Sequence, residues 1–226
     1  IINELKETLN DFRPKLLDGY GNIEAQEKKD HTLVTKLDTE LETVLRNKLQ
    51  NLLPGSNIVG EELGGQESES FWLIDPIDGT DYFVRGLPEC TSLVSRIENG
   101  QVTLAIIYDF VSDRFYHAIR GHGAYVNDKK ISVSSRPIER SIVIFESKSD
   151  WEQPQSIYKI MCEKGWGVNV FCMFSSGVKW AQLAEGVIEG IVLKDSWEKP
   201  WDVAAGSLLV TEAGGTIKNI KSDSYE

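Results

Sequence analysis

Residues 72–80 read Trp72-Leu73-Ile74-Asp75-Pro76-Ile77-Asp78-Gly79-Thr80. An apolar run ends in two carboxylates, a glycine and a threonine. The run reads as a buried strand, and the Asp-Pro and Asp-Gly pairs read as its sharp stop. Two acids three residues apart at a strand end can face one hard cation. The glycine then lets backbone come close to an anion. Phosphate-ester chemistry on a divalent metal suits this layout.

Towards the N-terminus, residues 57–60 form a short strand leading into Glu61-Glu62. Before it, Leu41, Val44, Leu45, Leu49 and Leu52 share a helical stripe. Thr39 and Glu42 form a T-x-x-E capping box at its start, and Pro54-Gly55 ends it. Ile2, Leu5, Leu9, Phe12 and Leu16 give residues 1–20 a helical spacing, and the polar residues 26–31 form a loop.

Towards the C-terminus, residues 91–97, 101–108 and 114–119 are strand-like, and Asn99-Gly100 is a hairpin turn. A turn at 121–124 leads to short strands around Tyr125 and at 131–133, completing an antiparallel meander. Helices at 156–163, 178–183 and 204–212 then alternate with strands at 168–171, 188–193 and 216–220. The pattern predicts an α/β (α+β layered) architecture, not a doubly wound parallel sheet. One domain covers residues 1–226, with an α+β half over 1–140 and an α/β half over 141–226. The end comes without a closing helix, which reads as truncation.

The chain of 226 residues is 41% hydrophobic and 26% charged, ordinary globular values that allow a sizeable core. Its net charge of −11 argues against nucleic-acid backbones and anionic membranes as main partners. Cys90, Cys162 and Cys172 are odd in number and lack C-x-x-C spacing, so free thiols in a reducing compartment are expected. No signal peptide opens the sequence and no apolar run nears the ~20 residues of a membrane span. A cytoplasmic protein is expected.

Three acidic loci follow strand or turn signals: Glu61-Glu62, the Asp75/Asp78 pair, and Asp202 in Trp201-Asp202-Val203-Ala204-Ala205-Gly206. A carboxylate bridging two cations ~4 Å apart, with another on each side, is a two-metal arrangement for phosphoryl transfer. Mg²⁺ keeps several waters, so few carboxylates are needed. A helix beginning near Asp81 would offer N–H groups to a phosphate beside Gly79 and Thr80. The Thr80 hydroxyl is a poor base without a carboxylate partner, and Asp38 is the candidate. Each acid alone has a plain structural role: Asp202 as a helix cap, Glu61 and Glu62 as a surface pair, Asp38 as a helix-entry acid. Their joint occurrence favours a site. The P-loop, H-E-x-x-H and G-x-S-x-G patterns are absent from the sequence.

Gly60-Glu61-Glu62, Asp75-Pro76-Ile77-Asp78-Gly79-Thr80 and Trp201-Asp202-Val203-Ala204-Ala205-Gly206 resemble the three signature motifs of the inositol monophosphatase superfamily. Leu33–Asp38, Arg120–Asn127 and Thr211-Glu212-Ala213-Gly214-Gly215 match it too. The resemblance implies an αβαβα sandwich, a homodimer, and a Mg²⁺-dependent, lithium-sensitive phosphomonoesterase using two to three ions. It implies that Glu61, Asp75 and the Ile77 carbonyl hold one Mg²⁺, and Asp75, Asp78 and Asp202 a second. Asp38 and Thr80 would activate water, so that Asp38, Thr80, Glu61 and Asp78 are the catalytic set. Gly79 and Thr80 would grip the phosphate.

The sequence departs from the inositol enzymes near the substrate. Asp81-Tyr82-Phe83 replaces Thr-Asn-Phe, and Ser175-Ser176-Gly177-Val178-Lys179 replaces an Arg-x-x-Gly-Ser/Thr-Ala pattern. Lys179 beside a serine pair resembles the 3′-phosphoadenosine 5′-phosphate phosphatase branch. Asp195 stands where inositol enzymes have a glutamate that binds a substrate hydroxyl. Gly177, Lys179 and Asp195 are therefore expected near the substrate. Inositol monophosphate or a related polyol phosphate is the first expectation. Nucleoside 3′,5′-bisphosphate, fructose 1,6-bisphosphate and histidinol phosphate follow. The alternative from another class is a binding partner of transcription machinery or RNA, which the intact acidic set argues against.

Overall fold

A computed structural model of the chain describes residues 1–147, 152–164, 169–171, 175–194 and 198–218. Helix α1 (Ile2–Gly19) leads to a hairpin of β1 (Ala25–Glu27) and β2 (Leu33–Thr35), and then to α2 (Lys36–Leu52). Strands β3 (Asn57–Gly60) and β4 (Ser70–Asp78) follow, then the short α3 (Thr80–Arg85). The meander comprises β5 (Thr91–Glu98), β6 (Gln101–Asp109), β7 (Arg114–Ile119), β8 (Gly123–Val126) and β9 (Lys129–Lys130). The remainder is β10 (Ile142–Ser147), α4 (Glu152–Glu163), β11 (Asn169–Phe171), α5 (Ser176–Ala184), β12 (Gly190–Lys194) and α6 (Pro200–Glu212).

Strands β3 to β9 form one seven-stranded sheet in sequence order. Its β3–β4 pair is parallel and the other pairs are antiparallel. Period-two alternation along β6 sends Ile106 and Tyr108 to one face and Ala105 and Ile107 to the other. The first face packs on α1 and α2, which bury Leu5, Leu9 and Leu16 and Leu37, Leu41, Leu45 and Leu49 at helical spacing. The second face packs on α5 and α6 through Trp180, Ala181, Ala205, Leu208 and Leu209. Parallel strands β11-β10-β12 make a second sheet, with α4 and α5 as the crossovers that parallel pairing requires. Ile191 and Leu193 of β12 pack on the α5–α6 core. Helix pair, mixed sheet, helix pair and second sheet thus stack in layers, as expected.

Several boundaries differ from expectation. Strand β4 does not stop at Asp75-Pro76; it runs on to Asp78. The N-cap of α2 is Thr35, four residues before Thr39, because Thr35 and Asp38 form the capping box. Both Thr35-x-x-Asp38 and Thr39-x-x-Glu42 fit the pattern, and the upstream copy wins. Residues 26–31 are not all loop, since β1 pairs with β2. Residues 131–133 form no strand: the Ile131 N–H still bonds the Ala124 carbonyl in the β8 register, but the Val133 N–H goes to that of Ala213. The hairpin at Asn99-Gly100 is present, both residues having positive φ (52° and 75°). β10 was not foreseen. Residues 216–218 form no strand, and residues 219–220 lie outside the described residues.

Candidate active site

In a regular strand, residues three apart face opposite sides of a sheet. Asp75 and Asp78 escape this through a bulge. Asp75 pairs with Leu93 and Asp78 with Thr91, so β4 spends one residue more than β5 over this interval. Pro76, which cannot donate to a ladder, lies within the bulge, and its carbonyl accepts the Ser92 hydroxyl at 2.7 Å. Carboxylate oxygens of Asp75, Asp78 and Asp202 consequently lie within 4.8 Å of one another.

Gly79 then turns the chain with φ 83° and ψ 40°, a left-handed conformation that suits glycine. A Cβ there would also lie 2.4 Å from the Glu89 carbonyl oxygen. Thr80 opens α3, and its Oγ1 lies 3.1 Å from Asp38 Oδ1 and 2.9 Å from the Ile77 carbonyl oxygen. The hydroxyl has one proton, so it donates to one of the two. Donation to Asp38 leaves the Ile77 carbonyl open to a cation.

The N-termini of α2 and α6 each supply a carboxylate. Asp38 Oδ2 accepts the N–H (2.8 Å) and hydroxyl (2.6 Å) of Thr35. Asp202 Oδ2 accepts the Lys199 N–H at 2.6 Å. Capping by one oxygen fixes each carboxylate and leaves the other oxygen for the site. The N–H groups of Ser176 and Gly177, at the start of α5, reach Asp78 Oδ1 at 3.2 Å and Oδ2 at 2.6 Å. Thr91 donates to Oδ2 at 3.0 Å. This approach needs glycine at 177, where a Cβ would meet Thr91 Oγ1 at 2.0 Å.

Burial dominates the electrostatics. It raises the Asp75 carboxyl well above its ordinary range, and the charges of Glu61, Asp78 and Asp202 raise it further. Asp202 is pushed up to about 7 by burial and by Asp78, against the Lys199 N–H. Asp78 is raised by burial, against the Gly177 N–H. Asp38 is raised by burial too, and the hydrogen bonds from Thr35 and Thr80 pull it back. The Asp75 and Asp202 carboxylates face each other, and among the described residues Asp75 Oδ1 is buried with no hydrogen-bond partner. A hard cation would satisfy that oxygen and relieve the repulsion, so the donor set fits a divalent metal.

The other expected residues are placed less simply. Glu61 stands beside the cluster and raises Asp75, but its Oε1 accepts the Lys28 ammonium at 2.7 Å. Lys28 also bonds Glu62 at 2.6 Å, whose carboxyl burial pushes up to about 7. Gly177 offers its N–H to Asp78. Lys179 is buried, with its ammonium between Glu146 and Glu198. Asp195 lies outside the described residues.

Sequence reasoning missed Glu42, Lys28, Glu146 and Glu198. Glu42 is fully buried and accepts the N–H groups of Glu62 (2.8 Å) and Leu63 (3.2 Å), fixing the turn that carries Glu61. An acid on the apolar stripe of α2 was the signal. Nothing local marked the others.

The family profile described as the inositol monophosphatase family matches residues 6–225. The chain is 33% identical over 201 residues to the inositol-1-monophosphatase of Bacillus subtilis, covering 85% of this chain and 74% of that protein. It is 30% identical to the histidinol-phosphatase of Mycobacterium tuberculosis, covering 89% and 80%. Among solved structures, an IMPase of Thermotoga maritima superposes with a TM-score of 0.82 at 28% identity, covering 92% of this chain and 81% of that one.

Proposed function

We propose a specific mechanism for this chain, which belongs to the inositol monophosphatase family and is a phosphoric monoester hydrolase. The observation that carries it is the β4 bulge, which brings Asp75 and Asp78 to Asp202 beside the Asp38–Thr80 pair. Asp75, Asp78 and Asp202 would hold one Mg²⁺, and Glu61, Asp75 and the Ile77 carbonyl another, with Glu61 and waters for a weaker third. When bound, the ions supply positive charge opposite the phosphoryl oxygens.

The remaining work falls to the chain. Thr80, donating to Asp38, turns a lone pair towards the attacking water and orients it. As the water oxygen bonds to phosphorus and the ester P–O bond breaks, the water's proton passes to Thr80 Oγ1 and the Thr80 proton to Asp38. The departing alkoxide takes a proton from solvent. Backbone at Gly79 and Thr80 would hold the phosphate.

The substrate we favour is inositol monophosphate or a related sugar or polyol phosphate. Relatives of nearly equal identity bear different substrate names, so the choice needs measurement. Release of inorganic phosphate with Mg²⁺ should be followed for inositol 1-phosphate, fructose 1,6-bisphosphate, histidinol phosphate and 3′-phosphoadenosine 5′-phosphate. Turnover greatest on inositol 1-phosphate supports the reading, and no Mg²⁺-dependent turnover on any monoester overturns it.

Lithium inhibition, a homodimer and a cytoplasmic setting belong to the same proposal. They rest on the motif resemblance and on cysteines without C-x-x-C spacing. Among the described residues, no helix is long and apolar enough to cross a membrane.

A further inference from the structure

The cluster around Lys179 lies within one turn of the Asp78 contacts. Its side chain is 2% exposed and that of Glu198 only 4%. The ammonium bonds Glu146 of β10 and, at 2.5 Å, Glu198 just before α6. Glu198 Oε1 also accepts the Ser176 hydroxyl at 2.6 Å. The same Ser176 gives its N–H to Asp78. Four residues after Glu198 comes Asp202. One buried ion cluster thus ties together the helix start that grips Asp78 and the helix start that carries Asp202.

Stability is a weak reason for such a cluster, because desolvating these charges offsets most of their attraction. What the charges add is direction: Lys179 and Ser176 fix the Glu198 carboxylate, and Glu198 fixes α6 against α5.

We propose that Lys179 and Glu198, an ion pair that Ser176 links to Asp78, are positioning residues that set the spacing of Asp78 and Asp202 for a divalent cation. On this assignment Lys179 acts within the protein and does not contact the phosphate ester. Burial lowers its ammonium, but Glu198 and Glu146 outweigh burial and keep it charged.

This inference rests on the metal-dependent phosphatase reading. The test measures Mn²⁺ binding by calorimetry, alongside Mg²⁺-dependent hydrolysis of p-nitrophenyl phosphate. Lys179→Met and Glu198→Gln should each weaken Mn²⁺ binding by about tenfold and lower kcat, with KM within about twofold of wild type. The double variant should be no worse than the poorer single, because both break one clamp.

Ser176→Ala keeps every charge and serves if Lys179→Met does not fold. It should weaken Mn²⁺ binding by about threefold. Unchanged Mn²⁺ affinity in the variants that fold overturns the assignment, as does a KM rise of about tenfold with affinity intact. Wild-type protein that neither binds Mn²⁺ nor turns over would defeat the phosphatase reading and this inference with it.

Discussion

The N-termini of α2 and α6 use one local device in two surroundings. In each, an aspartate at the third helical position accepts the N–H of the capping residue, at 2.8 Å for Asp38 and 2.6 Å for Asp202. The free oxygen of Asp38 then meets the Thr80 hydroxyl. Asp202 meets the carboxylates of Asp75 and Asp78. Hydroxyl neighbours stabilise a carboxylate as a proton acceptor, whereas carboxylate neighbours demand a cation. The cap holds the residue, and the surroundings decide its work.

Removing charge at each cap should therefore have separable effects. The largest is expected from Asp202→Asn. Its amide oxygen can keep the cap, but the cluster loses one of its three carboxylates. Turnover should fall by roughly 10³-fold or more, and Mn²⁺ affinity should fall with it, while circular dichroism stays native. Affinity equal to wild type would remove Asp202 from the metal set.

Asp38→Asn comes next. A general base contributes about 10²–10⁴-fold, so kcat should fall in that range. Mn²⁺ affinity should stay within about threefold, because the Asp38 oxygens face Thr35 and Thr80 and not the cluster. Equal losses of affinity in the two variants would erase the distinction between the two caps.

How much of this could be read beforehand follows the same division. The acids, the apolar stripes of α1 and α2 and the β5–β6 hairpin are local patterns, and they were legible. The bulge was not, because Asp-Pro reads as a stop unless a partner strand shows that pairing resumes at Thr91. The true start of α2 was hidden by two overlapping Thr-x-x-acid patterns. Lys28, Glu146 and Glu198 come from sequence-distant elements, and only the fold brings them to Glu61 and Lys179.

A smaller effect tests the caps themselves. Thr35 contributes a side chain to its cap: its hydroxyl donates to Asp38 and accepts the Leu37 N–H at 3.1 Å. At α6 the Lys199 backbone N–H donates to Asp202. Thr35→Ala should cost about 1 kcal/mol, lowering Tm by roughly 2–4 °C. Lys199→Ala keeps its N–H, so its Tm should stay within about 1 °C. Equal losses from the two would mean that the Lys199 side chain matters to its cap as much as the Thr35 hydroxyl does.

A last effect, similar in size, comes from an acid in neither helix, which measures burial without capping. Glu89 is pushed up to about 7 by burial and then by the charge of Asp109, and its buried Oε2 has no hydrogen-bond partner among the described residues. From the ordinary 4.5 up to about 7, the folded protein holds this proton more tightly than the unfolded chain. Its stabilising contribution is therefore fully present below 4.5 and is lost as pH rises through about 7. Glu89→Gln removes that dependence. Its melting temperature relative to wild type should climb between pH 5 and 8, by on the order of a few degrees. A pH-independent difference would show that burial alone does not perturb a carboxyl here. The unusual protonation expected at Asp202 would then have to come from its carboxylate neighbours, the feature that separates it from Asp38.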